Sequence, residues 1–403
     1  MSGKTPGGPA CERYRRVLDD TLRYSRSCDW AGYNKHDGLN SPLLSRLPGR
    51  WRWTRIAAIQ AVMRAPVNVR PWLGVPHTRN PKGLGLFAHA LLDLHAAGGR
   101  EEAREEAHEL LGWLLAHPAS GFRGLGWGYP YPWQDLGFYA PRHFPNRVVT
   151  SWIGFAFLEA LRQSGAKEYA TAVAGIAEFL TGEPNVLCDE PEMKCYSYVP
   201  DRSVRWAVMD VPALVGAFLA EAGALLGRER FRDEARRLLG WVVDKQTAYG
   251  AWFYTHPPTD SLITHDNYHT AIILDCLDRY RLATGDERFD EAYQQGLIYY
   301  RDHLFTAGGA PRWRNDKEYP YDIHGAASGI LCFLRAAGRD PSYASQAQKV
   351  LDWTLENMYD PSGFFYYQKT RWFTKKFCLL RWANGWMCRA LAAVLRSRSA
   401  GRW

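Results

Sequence analysis

The sequence predicts an all-α protein, a single (α/α)6 toroid in which six helical hairpins close into a barrel, with short β-like aromatic connections at one end. Three observations predict it. Apolar segments rich in Ala and Leu alternate with amphipathic, charged segments along most of the 403 residues. The pair recurs about every 55 to 65 residues, the size of a two-helix hairpin plus a long connection. Glycines close the apolar segments at Gly98, Gly165, Gly227, Gly285 and Gly338, where a left-handed residue ends a helix without a Cβ penalty.

The elements follow in order. "CERYRRVLDDTLRYSR" supplies an N-terminal amphipathic helix. "GLGLFAHALLDLHAAG" then leads into "REEAREEAHELLGWLL", and "WIGFAFLEALRQSG" into "AKEYATAVAGIAEFL". "VPALVGAFLAEAGALLG" precedes "RERFRDEARRLLGWVV", and "HTAIILDCLDRYRLATG" precedes "DERFDEAYQQGLIYY". "GAASGILCFLRAAG" with "RDPSYASQAQKVLDWTL" completes the fifth pair, and "WANGWMCRALAAVLR" is the sixth apolar member. Helices apolar on nearly all sides belong inside, and those with one polar face belong outside. The N-terminal helix then partners the sixth inner one. Residues 1–70 are expected to form this outer helix and a polar loop packed on the barrel, residues 71–403 the toroid, all in one structural domain.

Composition narrows the function. Hydrophobic residues at 46% and charged residues at 23% are globular values. The net charge of +8 favours anionic partners, but the basic residues are scattered, so no nucleic-acid arm is expected. No apolar leader or membrane span is read, and the eight cysteines include no CxxC; a cytoplasmic protein without a disulfide framework is expected. Trp and Tyr, 17 and 22 in number, gather in connections such as "GLGWGYPYPWQDLGFY", which suggests a recognition surface. Each connection after an outer helix is long enough to cross one end of the ring, where the inner-helix N-termini favour negative charge.

The chemistry concentrates in "THDNYHT", which opens the fourth inner helix, and "EYPYDIHGAAS", which opens the fifth. Thr264, Asp266 or Asn267 serves as an N-cap in any case. Asp266 and Asp322 also supply the two carboxylates that glycoside hydrolysis requires. Tyr268 or His269 offers instead a base for the proton α to a uronate carboxylate, with Asn267 and an arginine neutralising its charge. His324 completes the catalytic candidates. The saccharide-binding candidates are the aromatics Trp127, Tyr129, Trp133, Tyr198, Trp252, Tyr254, Tyr319 and Tyr367, whose faces pack on sugar C–H groups. With them come His143, Asn146, His256 and His265, and the arginines Arg205, Arg312, Arg314 and Arg381. "CDWAGYNKHDGLNSPLL", with Asp37 and Asn40, is a polar loop to which no chemistry is assigned.

Three resemblances bear on these segments. "HDNYHTAIILDCL" and "KCYSY" resemble segments of protein prenyltransferase β-subunits, which implies zinc on His269 and Cys195; the i, i+4 pair His265 and His269 offers a zinc face by another route. Met193 stands where that family has an aspartate. "QTAYGAW" resembles a motif of the terpenoid cyclases, which share the toroid, although their acid motif is absent. "YAPRHFPNR", "DNYHT" and "YPYDIHG" resemble the six-hairpin carbohydrate-active enzymes and proteins of exopolysaccharide gene clusters. The expected function is a carbohydrate-active enzyme on an acidic polysaccharide or oligosaccharide, by hydrolysis or by uronate proton abstraction, with no cofactor other than the zinc alternative. An isoprenoid cyclase or transferase and a noncatalytic glycan-binding scaffold are the alternatives.

Overall fold

A computed structural model describes residues 9–46, 51–182 and 185–401. It contains α1 (Pro9–Ser27), α2 (Arg52–Arg64), α3 (Pro81–Gly98), α4 (Glu101–Ala116), α5 (Arg147–Ser164), α6 (Lys167–Gly182) and α7 (Asp210–Leu226). α8 (Glu229–Asp244), α9 (Asn267–Thr284), α10 (Asp290–His303), α11 (Ile323–Ala336), α12 (Ser342–Asn357) and α13 (Trp386–Ser399) follow. The inner helices α3, α5, α7, α9, α11 and α13 each touch the next, and α13 returns to α3, so the ring is closed. Outside it, α4, α6, α8, α10 and α12 each pack on the inner helix before them, and α1 packs on α13. The fold is the (α/α)6 toroid.

Residue pattern explains which helix goes where. α7 is buried from Asp210 to Gly223 and has no polar face to offer water. α8 buries Phe231, Ala235, Leu238, Leu239 and Val242, a stripe at helical spacing, and turns its arginines outward. Each such fully buried Leu or Phe is worth about 1.5–3 kcal/mol relative to exposure. Close approach within the ring needs glycine at Gly154, where a Cβ would stand 2.6 Å from the Phe218 ring.

Helix ends follow the sequence with two corrections. Gly165, Gly227 and Gly285 are left-handed caps. Gly98, however, is the last helical residue of α3 and Gly99 takes the cap, because the amide of Gly99 bonds back to His95. α11 ends on Ala337 in a right-handed turn, so Gly338 is not a left-handed cap.

The N-termini of the inner helices share one end, and short strand pairs stitch the connections there. Ala207–Val208 pairs with Thr255–His256, joining the entries to α7 and α9. Asp266 bridges Arg314, joining the entry to α9 with the connection before α11. Tyr321–Asp322 pairs with Gln368–Lys369, joining the entry to α11 with that to α13. The N-terminal segment reaches this end as well: α2 packs on the turn Asp37–Asn40 and on Trp133–Gln134. Among the described residues, no helix is long and apolar enough to cross a membrane.

Candidate active site

Eight rings form a closed collar at the mouth of the barrel. His36 stacks on Trp133 at 5.6 Å, Trp133 meets Phe138 at 5.1 Å, and Phe138 meets Trp206 at 5.9 Å. Trp206 meets Tyr254 at 5.9 Å, Tyr254 meets His269 at 4.5 Å, and His269 meets Tyr268 at 4.2 Å. Tyr268 meets Trp382 at 5.5 Å, and Trp382 returns to His36 at 6.3 Å. These rings come from the N-terminal segment and from the connections or helix starts before α5, α7, α9 and α13. His36, Asp135, Tyr268, His269 and Trp313 are half-buried at this end, and His324, Lys35 and Asp322 are buried beside them.

The charges inside the collar are arranged by helix starts. Asp266 caps α9: one oxygen accepts the His269 backbone N–H at 3.1 Å and the other sits 2.7 Å from His269 Nδ1. His269 Nε2 lies 3.9 Å from Asp210 at the start of α7. Burial opposes the imidazolium, but Asp266 and then Asp210 outweigh it, so the His269 pKa is held above its ordinary value. Burial raises the carboxyl of Asp210 against the pull of His269 and Lys82, and its Oδ1 has no hydrogen-bond partner.

His324 is the opposite case. It packs against Tyr268, Trp382 and Trp386 at 4.5, 4.5 and 4.3 Å, and neither ring nitrogen has a hydrogen-bond partner. Burial, with Lys82, Arg381 and Lys35 around it, drives its pKa well below the ordinary value. Asp322 caps α11, accepting the His324 backbone N–H at 2.9 Å, the Trp382 indole N–H at 2.7 Å and the Gln368 amide at 2.8 Å. All the oxygens of Asp266 and Asp322 thus serve as acceptors that orient neighbours. This differs from the expected acid-and-base pair, because a general acid needs a proton it can turn toward the substrate. Asp135, pushed up to about 6 by withdrawal from solvent, is a carboxyl of the other kind.

The structure gathers Asp266, Tyr268, His269, Asp322, His324, Tyr129, Trp133, Tyr198, Tyr254 and Arg381 at this mouth; Arg381 lies over the rings of Tyr129 and Trp382. Other candidates are braces. The indole N–H groups of Trp127 and Trp252 donate to the carbonyls of Leu114 and Val242, which holds these connections to the outer helices. Asn146 spends its oxygen capping α5. Asn267 donates to Leu304 and accepts from Tyr300, so it turns to α10 and leaves no group to neutralise a substrate carboxylate. Tyr367 is buried beside Phe377.

A third group lies off the mouth. His143 is exposed, and Arg205 and His256 line a separate cavity of about 300 Å³ with Cys195 and Trp241. Arg314 donates to the Leu262 carbonyl in the connection before α9 at 2.6 Å, whereas Arg312 faces Glu318 at 3.6 Å and Tyr319 packs on Tyr321 within the connection before α11. His265 has both ring nitrogens engaged, by the Trp252 carbonyl at 2.8 Å and the Tyr249 hydroxyl at 2.9 Å. Cys195 is wholly buried with its thiol on its own strand, and His269 is tied to Asp266. The zinc set Cys195, His265 and His269 is therefore not assembled, and among the described residues no three metal-ligating side chains are grouped to hold an ion.

Sequence reasoning missed Lys35, His36, Lys82, Asp210 and Trp382. Lys35 and His36 stand in "YNKHDGLN", read above as an inert loop. Its turn is clamped by Arg70, wholly buried, which bonds Asp37 at 2.6 Å and the carbonyls of Asn34 and Lys35 at 2.8 and 3.1 Å. The Asn80 amide, at the cap of α3, also holds Asn34 at 2.7 Å. The density of polar residues in that loop was the available signal. Lys82 and Asp210 carried none, since single charges at helix starts are commonplace.

Comparison with known proteins agrees on the architecture. No family model and no curated protein matches the sequence. Among solved structures, a sugar epimerase from a ruminal bacterium superposes with a TM-score of 0.62 at 15% identity, covering 79% of this chain and 90% of that one. A GH76 α-mannanase from Bacteroides thetaiotaomicron gives 0.60 at 12% identity, with 80% and 87% covered. A possible GH105 family member from Klebsiella pneumoniae gives 0.61 at 10% identity, with 100% and 96% covered. All are six-hairpin toroids.

Proposed function

We propose that this chain is a carbohydrate-active enzyme that moves protons on a bound saccharide, with His324 as base and His269 as acid. The names of its structural neighbours, epimerases and glycoside hydrolases, support the saccharide, as does the collar of rings, which offers apolar faces beside polar edges. The pair of histidines with opposite proton affinity supports the reaction. Burial favours the neutral form of His324, whose ring nitrogens have no hydrogen-bond partner, and Asp266 favours the protonated form of His269. Two titratable groups whose surroundings push their pKa values apart are the usual signature of an acid and base assignment. A proton removed by His324 from a carbon beside a carbonyl or carboxyl leaves a carbanion that His269 quenches or whose leaving group it protonates. Tyr268, packed against both rings, fixes their separation.

The test is deuterium wash-in. In D2O, NMR of hexoses, disaccharides and uronates incubated with the protein is expected to show exchange at one carbon-bound position. His324→Asn and His269→Asn each reduce that rate about 10²–10⁴-fold. Wild-type protein that releases reducing ends with no wash-in defeats this reading and favours hydrolysis by Asp135 and Asp210, two carboxyls that burial holds above their ordinary values without an arginine partner. The isoprenoid alternative has less support, since a hydrocarbon needs a deep apolar cavity and this mouth holds Lys35, Asp210 and two histidines.

A further inference from the structure

Three basic side chains lie near the collar without a carboxylate at ion-pair distance. Burial lowers the pKa of Lys35 to about 8 and that of Lys82 well below its ordinary value, so an anion arriving beside them would favour their protonated forms. Lys35, Lys82 and Arg381 are each no more than 4% exposed, and among the described residues none is within ion-pair distance of a carboxylate. Lys35 Nζ stands 3.8 Å above the Trp382 ring, and Arg381 lies 5.1 Å from the same ring. Lys82 Nζ is 5.4 Å from the Trp386 ring, which packs on His324. The start of α3 is pressed against Arg381, since a Cβ on Gly83 would meet Arg381 Cβ at 3.2 Å. The three therefore surround His324 from different elements. Taking an ammonium out of water costs several kcal/mol, and an indole face returns only part of that. The clamp on the turn at Asp37 shows that Lys35 is held there by construction.

The nearby carboxylates do not answer the cations. Asp266 is taken by His269, Asp322 by Trp382, Gln368 and its own helix, and Asp210 leaves one oxygen unpaired. We propose that Lys35, Lys82 and Arg381 form the subsite for a carboxylate on the saccharide, which makes the substrate of this mouth a sugar acid; the proposal rests on the saccharide reading above. The helix N-terminus at Lys82 adds partial positive charge to the same place.

Calorimetric titration of the intact protein with methyl β-D-glucuronide, methyl β-D-glucoside and glucose 6-phosphate tests it without requiring turnover. The glucuronide is expected to bind tenfold or more tightly than the glucoside, the order expected for one charge-assisted hydrogen bond. Lys35→Met and Lys82→Met are expected to remove most of that preference, and Lys35→Arg to keep it; thermal melts confirm that each variant is folded. Equal affinity for glucuronide and glucoside overturns the proposal, as does a preference that survives in both methionine variants. Tighter binding of the phosphate ester overturns the carboxylate assignment. Glucuronide binding with no deuterium wash-in leaves this subsite standing and removes the acid–base reading, whereas no binding of any of the three removes the saccharide reading with it.

Discussion

The two ends of the barrel differ in how fully their buried charge is paired. Toward the C-terminal halves of the inner helices, charge is paired from helix to helix. Asp93 of α3 meets Arg389 and Arg396 of α13, and Arg396 reaches Glu159 of α5 at 2.6 Å. Arg162 of α5 meets Glu221 of α7 at 2.8 Å, and Glu221 meets Arg279 of α9 at 2.7 Å. Asp275 of α9 then meets Arg335 of α11. At the mouth, by contrast, Lys35, Lys82, Arg381 and His324 stand without such partners. The difference separates two uses of charge. A chain of satisfied pairs fixes how neighbouring helices sit, whereas unsatisfied groups beside aromatic rings store interactions for a ligand.

The sharpest break of this comparison removes one member of the belt. Glu221→Ala leaves the buried Arg279 with only Asp275 as a partner and takes one of two carboxylates from the solvent-exposed Arg162, and a loss of about 3 kcal/mol in unfolding free energy is expected by urea titration. A loss near zero would show the belt to be decorative. Acid should act on the same element. The arginines outweigh burial and hold Glu221 below the ordinary glutamate value of 4.5, so its contribution is present above that pH and is lost as pH falls through the depressed value. Chemical denaturation from pH 6 to pH 3 should show stability falling below about 4.5 in the parent, and a shallower fall in Glu221→Ala.

Smaller effects sharpen the other end. Lys35→Met removes a buried ammonium that has no carboxylate partner, so stability is expected to stay level or to rise by about 1 kcal/mol, opposite in sign to Glu221→Ala. A loss as large as that of the belt variant would make Lys35 structural. The pH profile of any wash-in activity is the finest discriminator. His324 must be neutral and His269 protonated, so kcat/KM should form a plateau. Its acid limb falls below the ordinary histidine value of 6.5 with His324, and its alkaline limb lies above 6.5 with His269. An Asp266→Asn variant should move the alkaline limb to lower pH, and an unmoved limb would detach His269 from it.

Much of the architecture was legible because it is written in periodicity. Alternation of wholly apolar and half-apolar segments dictates inside and outside, and a helix such as α7 has only one place to go. The site was legible in part. "THDNYHT" and "YDIHG" were recognisable because helix starts at a mouth collect capping residues, but capping also hid the partner each side chain would choose. Asn267, equal to its neighbours in sequence, turns outward to Tyr300, and Trp127 and Trp252 spend their indoles on outer-helix carbonyls.

By itself, then, the order of residues determined the helices, their pairing and the end of the ring where polar and aromatic groups accumulate, since these follow from hydrophobic pattern and chain length. Only the tertiary structure decided which charges meet. It brought Lys35 to Trp382 across almost the whole chain, left both nitrogens of His324 empty, and gave His269 two carboxylates, because proton affinity is set by neighbours within a few ångströms and closing a ring makes neighbours of residues hundreds of positions apart.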